Sequence, residues 1–260
     1  MFNIIRRKKK LEVRFFTQED GLVELFAPQK LSCFTPDWWR NTPSTLPDSK
    51  DSKTRTPAKL RKTAKHCYSI QKTFETAIAF PLWCDAFVEV LSDGRTMGMA
   101  PSKQKGLGEQ HPTEQYPGLL NRDWANYKFG SPWVSYTEEN IQFWMTDPFY
   151  HKQNRDWQTM PGVIEFYHQH HTNVNTILRT PPLPKKGQKG KGFQYEFHAG
   201  DIMAYFVPMV GDRKITIKAE QISEKEWQRL HFGNRIWWSP ATQHRKLDIG
   251  GCPIKIGSSQ

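Results

Sequence analysis

"PGVIEFYHQHH" (Pro161–His171) decides how this chain is read. Its first half is β-branched and aromatic, a composition that predicts a strand. If the strand continues to residue 171, His168 and His170 fall on one face and His171 on the other, because strand side chains alternate. Two imidazoles placed that way can reach one ion. His168 and His170 are therefore candidate ligands for a divalent metal such as iron, manganese or zinc. A third ligand would have to come from His198, Glu165 or His231. The alternative reading needs no cofactor: the histidines are polar groups that hydrogen-bond on a strand surface. "HQHH" has no carboxylate at the offset that a two-histidine, one-carboxylate iron site requires.

The same β composition recurs on both sides of this stretch. "NIQFWMTD" (Asn140–Asp147), "NVNTILRT" (Asn173–Thr180), "FQYEFHAGDIMAYFVPM" (Phe193–Met209) and "RKITIKAEQIS" (Arg213–Ser223) are split by Pro, Gly or Lys-rich segments. Short strands separated by turn signals predict an antiparallel barrel or jelly-roll-like sandwich. "PPLPKKGQKGKG" (Pro181–Gly192) reads as an exposed loop between two of the strands. "SEKEWQRLHF" (Ser223–Phe232) reads as a short helix, with Ser223 as N-cap and Glu226 completing a capping box.

Toward the N-terminus, "LEVRFF" (Leu11–Phe16) and "LVELF" (Leu22–Phe26) read as a strand pair turning at Gly21. "FTPDWWRNTPSTLP" (Phe34–Pro47) predicts a short helix or turn, and residues 48–65 a basic surface loop. "CYSIQKTFETAIAF" (Cys67–Phe80) places Ile70, Phe74, Ala77 and Ile78 on one helical face, ended by Pro81. "LWCDAFVEVL" (Leu82–Leu91) reads as a strand that turns at Asp93-Gly94, and Ser102–Tyr127 as an irregular excursion. The expected class is α+β and β-rich, with the antiparallel barrel or sandwich in the C-terminal half. The expected regions are a strand and helix region over 1–130, a barrel core over 131–222 and a helix with a Trp-bearing tail over 223–260. A single domain is the alternative.

The chain has 260 residues, a formal net charge of +11, and 10 Trp, 16 Phe and 8 Tyr. That aromatic content argues against disorder. The basic runs Arg6–Lys10, Lys50–Lys65 and Lys185–Lys191 fall in terminal or loop segments. They read as solvated loops or as contacts to nucleic acid or an acidic surface. Lys8, Lys9, Lys185 and Lys186, with Trp237 and Trp238 of "RIWWSP", are the candidate partner or nucleic-acid contacts. Cys33, Cys67, Cys84 and Cys252 form no Cys-x-x-Cys pair, so free thiols in a reducing compartment are expected. No signal peptide or membrane-spanning run is recognised, and the expectation is a soluble, unsecreted protein.

Three family resemblances follow from these residues. Gly162 and His168-x-His170 resemble the first cupin motif, with Val174 and Asn175 where its Glu would stand. "AGDIMAYF" resembles the second cupin motif, with Met203, Ala204 and Tyr205 in place of its His. Gly162, Val163, Ile164 and Tyr167, with Gly200, Asp201 and Ala204, resemble the paired strands of the dUTPase family. That family's Gly-rich phosphate-closing motif has no counterpart in "IGGCPIKIGSSQ". Across residues 30–215, "DWWRNTP", "KHCYSI", "AFPLWCD", "FWMTDPFYH", "PGVIEF" and "AGDIMAYFVPM" resemble an uncharacterised protein family of tailed phages of marine bacteria. These resemblances imply a β-barrel without its complete catalytic set. They imply a non-enzymatic structural or interaction protein of a virion or host cytoplasm, partnered by itself or by other virion proteins. A metal-dependent cupin-like oxygenase or hydrolase and a nucleic-acid-binding protein are the alternatives.

Overall fold

Alternation builds the first strand. Leu11–Thr17 buries Leu11, Val13, Phe15 and Thr17 and leaves Glu12, Arg14 and Phe16 half-covered, the period of a strand with one face on a core. The structure is a computed structural model that describes residues 10–47, 60–92, 95–99, 107–111, 123–152, 156–168, 170–182, 192–210 and 213–228. Leu11–Thr17 pairs antiparallel with Val134–Thr137 on one side and parallel with Ile215–Gln221 on the other. His170–His171 extends this four-stranded sheet beyond Val134–Thr137.

A five-stranded antiparallel sheet faces it, in the order Gly162–Glu165, Gln142–Thr146, Ile202–Pro208, Ile78–Pro81, Gln29–Lys30. Phe15 packs on Phe80 and Phe166, and Phe166 on Phe143 and Phe206, which joins the two sheets through rings. A second facing pair lies alongside. One sheet holds Trp157–Thr159, Val174–Arg179, Trp124–Phe129 and Gly108–His111; the other holds Phe193–Phe197, Ala86–Val90 and Thr96–Met99. Phe197 packs on Phe129 and Trp157 between them. Both pairs share one apolar core, drawn from residues between Leu11 and Ile215. The β-rich α+β expectation is met by several largely antiparallel sheets. Among the described residues each has an open strand order, and none closes into a barrel.

The centre of the five-stranded sheet is buried on both faces, so Ile78–Pro81 and Ile202–Phe206 read as continuous apolar runs instead of alternating ones. The second face carries a helical layer: Leu31, Phe74 and Ala77 pack on Ala79 and Tyr205, with Trp39, Ile70 and Tyr150 around them. A bulge at Met203 shifts the register between Ile202 and Ala204, and Thr159 Oγ1 donates to the Met203 carbonyl there. The "HAGD" residues form a turn that splits Phe193–Met209 into two strands. Gly200 takes φ +91°, Asp201 N donates to the His198 carbonyl at 2.9 Å, and the Asp201 carboxylate accepts from His198 N at 2.7 Å.

Four expectations need correction. Leu22–Phe26 is a helix, not the second strand of a hairpin, and it follows Gly21 at φ 76°. The strand that Leu11–Thr17 requires comes from Ile215–Gln221 instead. The helix expected over Cys67–Phe80 runs over Tyr68–Thr76, and Ile78 already belongs to the strand Ile78–Pro81, which pairs with Ile202–Pro208 and Gln29–Lys30. Ser102–Tyr127 contains the strand Gly108–His111 and the start of Trp124–Phe129, with buried Ala125 and Tyr127. Pro161–His171 is not one strand: Gly162–Glu165 is a strand, Phe166–His168 a 3-10 turn, and His170–His171 enters a different sheet. The capping box at Ser223 forms as expected, with Glu226 N on Ser223 Oγ and Ser223 N on Glu226 Oε2, both at 3.3 Å.

Candidate functional site

A broad cleft of about 1390 Å³ opens where several strands of the second sheet pair end. Trp124, Trp157, Phe193 and Tyr195 give it apolar walls, and Asp123, Asp156, Arg179, Glu196, His198 and Asp201 supply charge or hydrogen bonding. Its inner end is built by the turn after Gln142–Thr146. There Lys152 is only 7% exposed, and its ammonium donates to Asp147 Oδ1 at 2.7 Å and to the Trp157 carbonyl at 2.5 Å. The same ammonium sits 3.8 Å from the centroid of the Trp157 ring, a cation–π contact strengthened by exclusion of water. Asp147 also accepts from Thr159 N at 2.8 Å, so one carboxylate fixes both a buried cation and the end of the strand Trp157–Thr159.

His151, next in the chain, is tied at both ring nitrogens. Nε2 faces the Phe34 carbonyl, which can only accept, so the proton is on Nε2. Nδ1 is then the acceptor of a hydrogen bond that the Tyr205 hydroxyl donates at 2.5 Å. Burial pushes the imidazole below its ordinary value of 6.5, with the Phe34 carbonyl opposing, and it pushes the Tyr205 hydroxyl well up. Tyr195 donates to the Arg179 carbonyl at 2.6 Å, and burial pushes its hydroxyl up to about 12. Three polar groups at the floor of the cleft are thus engaged with the protein itself: a neutral histidine without a free nitrogen, a paired ammonium and a bound phenol.

The His151 shift predicts a pH dependence. The unfolded chain takes up a proton near pH 6.5 and the folded chain only below it. This group's stability contribution is therefore complete above pH 6.5 and is lost as pH falls toward the lowered value. A melting series from neutral to mildly acid pH should fall more steeply for the native chain than for His151→Gln. Equal slopes would refute the assignment.

The sequence-predicted residues are distributed otherwise. His168 ends the 3-10 turn, and His170 pairs with Ser135 at the edge of the other sheet. The alternation that would have put both imidazoles on one face does not apply to this backbone, and the two side chains lie outside the described residues. Of the proposed third ligands, Glu165 accepts from Gln142 Nε2 at 3.2 Å and His198 lies 3.8 Å from the Asp85 carboxylate, while His231 is outside the described residues. Among the described residues no group of three or more His, Cys, Asp or Glu is placed to hold a metal ion. Lys8, Lys9, Lys185, Lys186, Trp237 and Trp238 all lie outside the described residues. Among the described residues no helix is long and apolar enough to cross a membrane.

A second surface has no sequence motif at all. The helical layer covers only part of the outer face of the five-stranded sheet. On the remaining part Trp144, 42% exposed, lies directly between Val163, 49% exposed, and Val207 in the register of three neighbouring strands. Met209, 58% exposed, follows Val207 on the same side. Alternation in "QFWMT" puts Trp144 and Phe143 on opposite faces, and the fold leaves Trp144 partly exposed while Phe143 is buried. No protein-family model, curated protein or solved structure matches this chain.

Proposed function

We propose that this chain is a non-enzymatic interaction protein of the tailed-phage type that its sequence resembles, and that it works as an oligomer. The open half of the five-stranded sheet carries this reading. Trp144, Val163, Val207 and Met209 form an apolar strip rimmed by the Gln142–Glu165 hydrogen bond, and apolar patches with polar rims are contact surfaces more often than free ones. The strip reaches Gly162–Glu165, an edge strand bonded on one side only among the described residues. A second copy related by a two-fold axis would place this strip on itself, the self-complementary arrangement that most homo-oligomers use. The engaged state of His151, Lys152 and Tyr195 at the cleft supports binding over chemistry.

Sedimentation velocity over a range of protein concentrations tests this. The native chain should associate reversibly. Trp144→Glu with Val163→Glu should weaken association by about tenfold or more, an interface loss of the size expected for an exposed aromatic anchor, with melting changed by only a few degrees. A chain that stays monomeric at all concentrations would overturn the self-association reading.

A further inference from the structure

The parallel strand Ile215–Gln221 has a second side. Leu11 N donates to the Lys214 carbonyl at 3.0 Å and Ile222 N to the Thr17 carbonyl at 2.8 Å. In a parallel ladder that phase turns the backbone groups of Thr216, Lys218 and Glu220 toward Leu11–Thr17. It turns those of Ile215, Ile217 and Ala219 away. Ile215–Gln221 is the last strand in its sheet order among the described residues, and Gln29–Lys30 is the last in the facing sheet. Between these two edges runs a groove of about 420 Å³, lined by Ile215, Ile217 and Ala219 on one wall and by Ala27, Pro28 and Lys30 on the other. Outward-pointing amides and carbonyls thus line an apolar trough at the edge of a seven-residue strand, the arrangement that lets an extended chain add itself as a further strand.

Charge selects the occupant. The charged groups lining the groove are Lys30 and Lys214, and neither has a carboxylate partner among the described residues. Lys218, on the same strand, is spent on Glu12 at 2.8 Å and is not part of the lining. The chain's own undescribed ends do not match: residues 1–9 hold basic residues and no acid, and residues 229–260 hold five Lys or Arg against Asp248 alone. We propose that the Ile215–Gln221 edge accepts an extended, acid-bearing segment of a different protein by strand addition, with its carboxylates on Lys30 and Lys214. This edge and the Trp144 strip lie on different sheets, so each can fail without the other.

Fluorescence anisotropy of the full chain with labelled peptides tests the assignment. The probe is a peptide of alternating valine and threonine flanked by glutamates; its counterpart has lysines in those flanking positions. The glutamate peptide should bind at least about tenfold more tightly, and Lys30→Glu with Lys214→Glu should reverse that order. Ala219→Pro removes one outward amide without touching a bond to Leu11–Thr17, so it should weaken the glutamate peptide by about tenfold or more while melting is retained. If that variant does not fold, a glutamate peptide N-methylated at alternate residues should fail to bind the native chain for the same reason. Strand addition is overturned by no binding at millimolar peptide, or by binding that survives either backbone block. Equal affinity for the two peptides, or for a peptide of residues 229–260, would overturn the acidic partner.

Discussion

Asp147→Ala should lower the folding stability by about 3–5 kcal/mol, the loss typical when one partner of a buried ion pair is removed. The Lys152 ammonium, 7% exposed, would lose the Asp147 carboxylate, and Thr159 N would lose its acceptor. The Trp157 ring and carbonyl still hold the cation, but neither carries a formal negative charge. A urea titration should show a lower midpoint with an unchanged slope. Replacing both ions, Asp147→Leu with Lys152→Met, should recover most of the loss, since two apolar groups leave no buried charge behind. A single variant within 1 kcal/mol of the native chain, on the order of a surface substitution, would show that the pair is hydrated and contributes little.

Phe166→Ala should cost a similar amount, about 3–5 kcal/mol. Phe166 is fully buried and touches Phe15, Phe143 and Phe206, with the Phe143 ring stacked at 4.3 Å. It is the ring on which the two facing sheets meet, so its removal leaves a cavity that neither sheet can close alone. Tyr167→Ala, one residue on and 44% exposed, should cost clearly less, about 1 kcal/mol. Chemical denaturation of the two variants side by side checks the contrast. Equal losses would mean that the turn Phe166–His168, and not the ring, carries the stability.

That contrast bears on what the sequence made legible. "GVIEFYHQHH" announces β structure through Gly162–Glu165, but its alternation cannot show that Phe166 leaves the sheet to plug the core. Once it does, every later residue changes its facing, and the reasoning that paired His168 with His170 loses its basis. "LVELF" failed for a related cause: five apolar or acidic residues fit a short helix and a strand equally well, and only the partner strand decides. That partner is Ile215–Gln221, far along the chain and invisible to any local window. Where a signal was local it held. The Ser223–Glu226 box formed as read, and the short helix or turn expected in "FTPDWWRNTPSTLP" is a helix over Asp37–Asn41. The cleft was not legible, because Asp147, Lys152, His151 and Tyr205 acquire their roles from contacts between separate segments. "TDPFYHK" carries no pattern that would mark them beforehand.

The pairing of Leu11–Thr17 with Ile215–Gln221 also sets the order of events during synthesis. Gln221 Nε2 reaches Asp20 across 201 residues of sequence, and the strands beside them are separated just as widely. The early strand gains its antiparallel neighbour only when Val134–Thr137 has been made, and its parallel neighbour only when Ile215–Gln221 has. Contacts of such long range are slow to form, because loop entropy must be overcome before any bond rewards it. While translation continues, Leu11, Val13 and Phe15 are a ready-made sticky strand with nothing to bind. A chaperone engaging nascent chains would therefore find its target in "LEVRFFT", and release would wait until Ile215–Gln221 has left the ribosome.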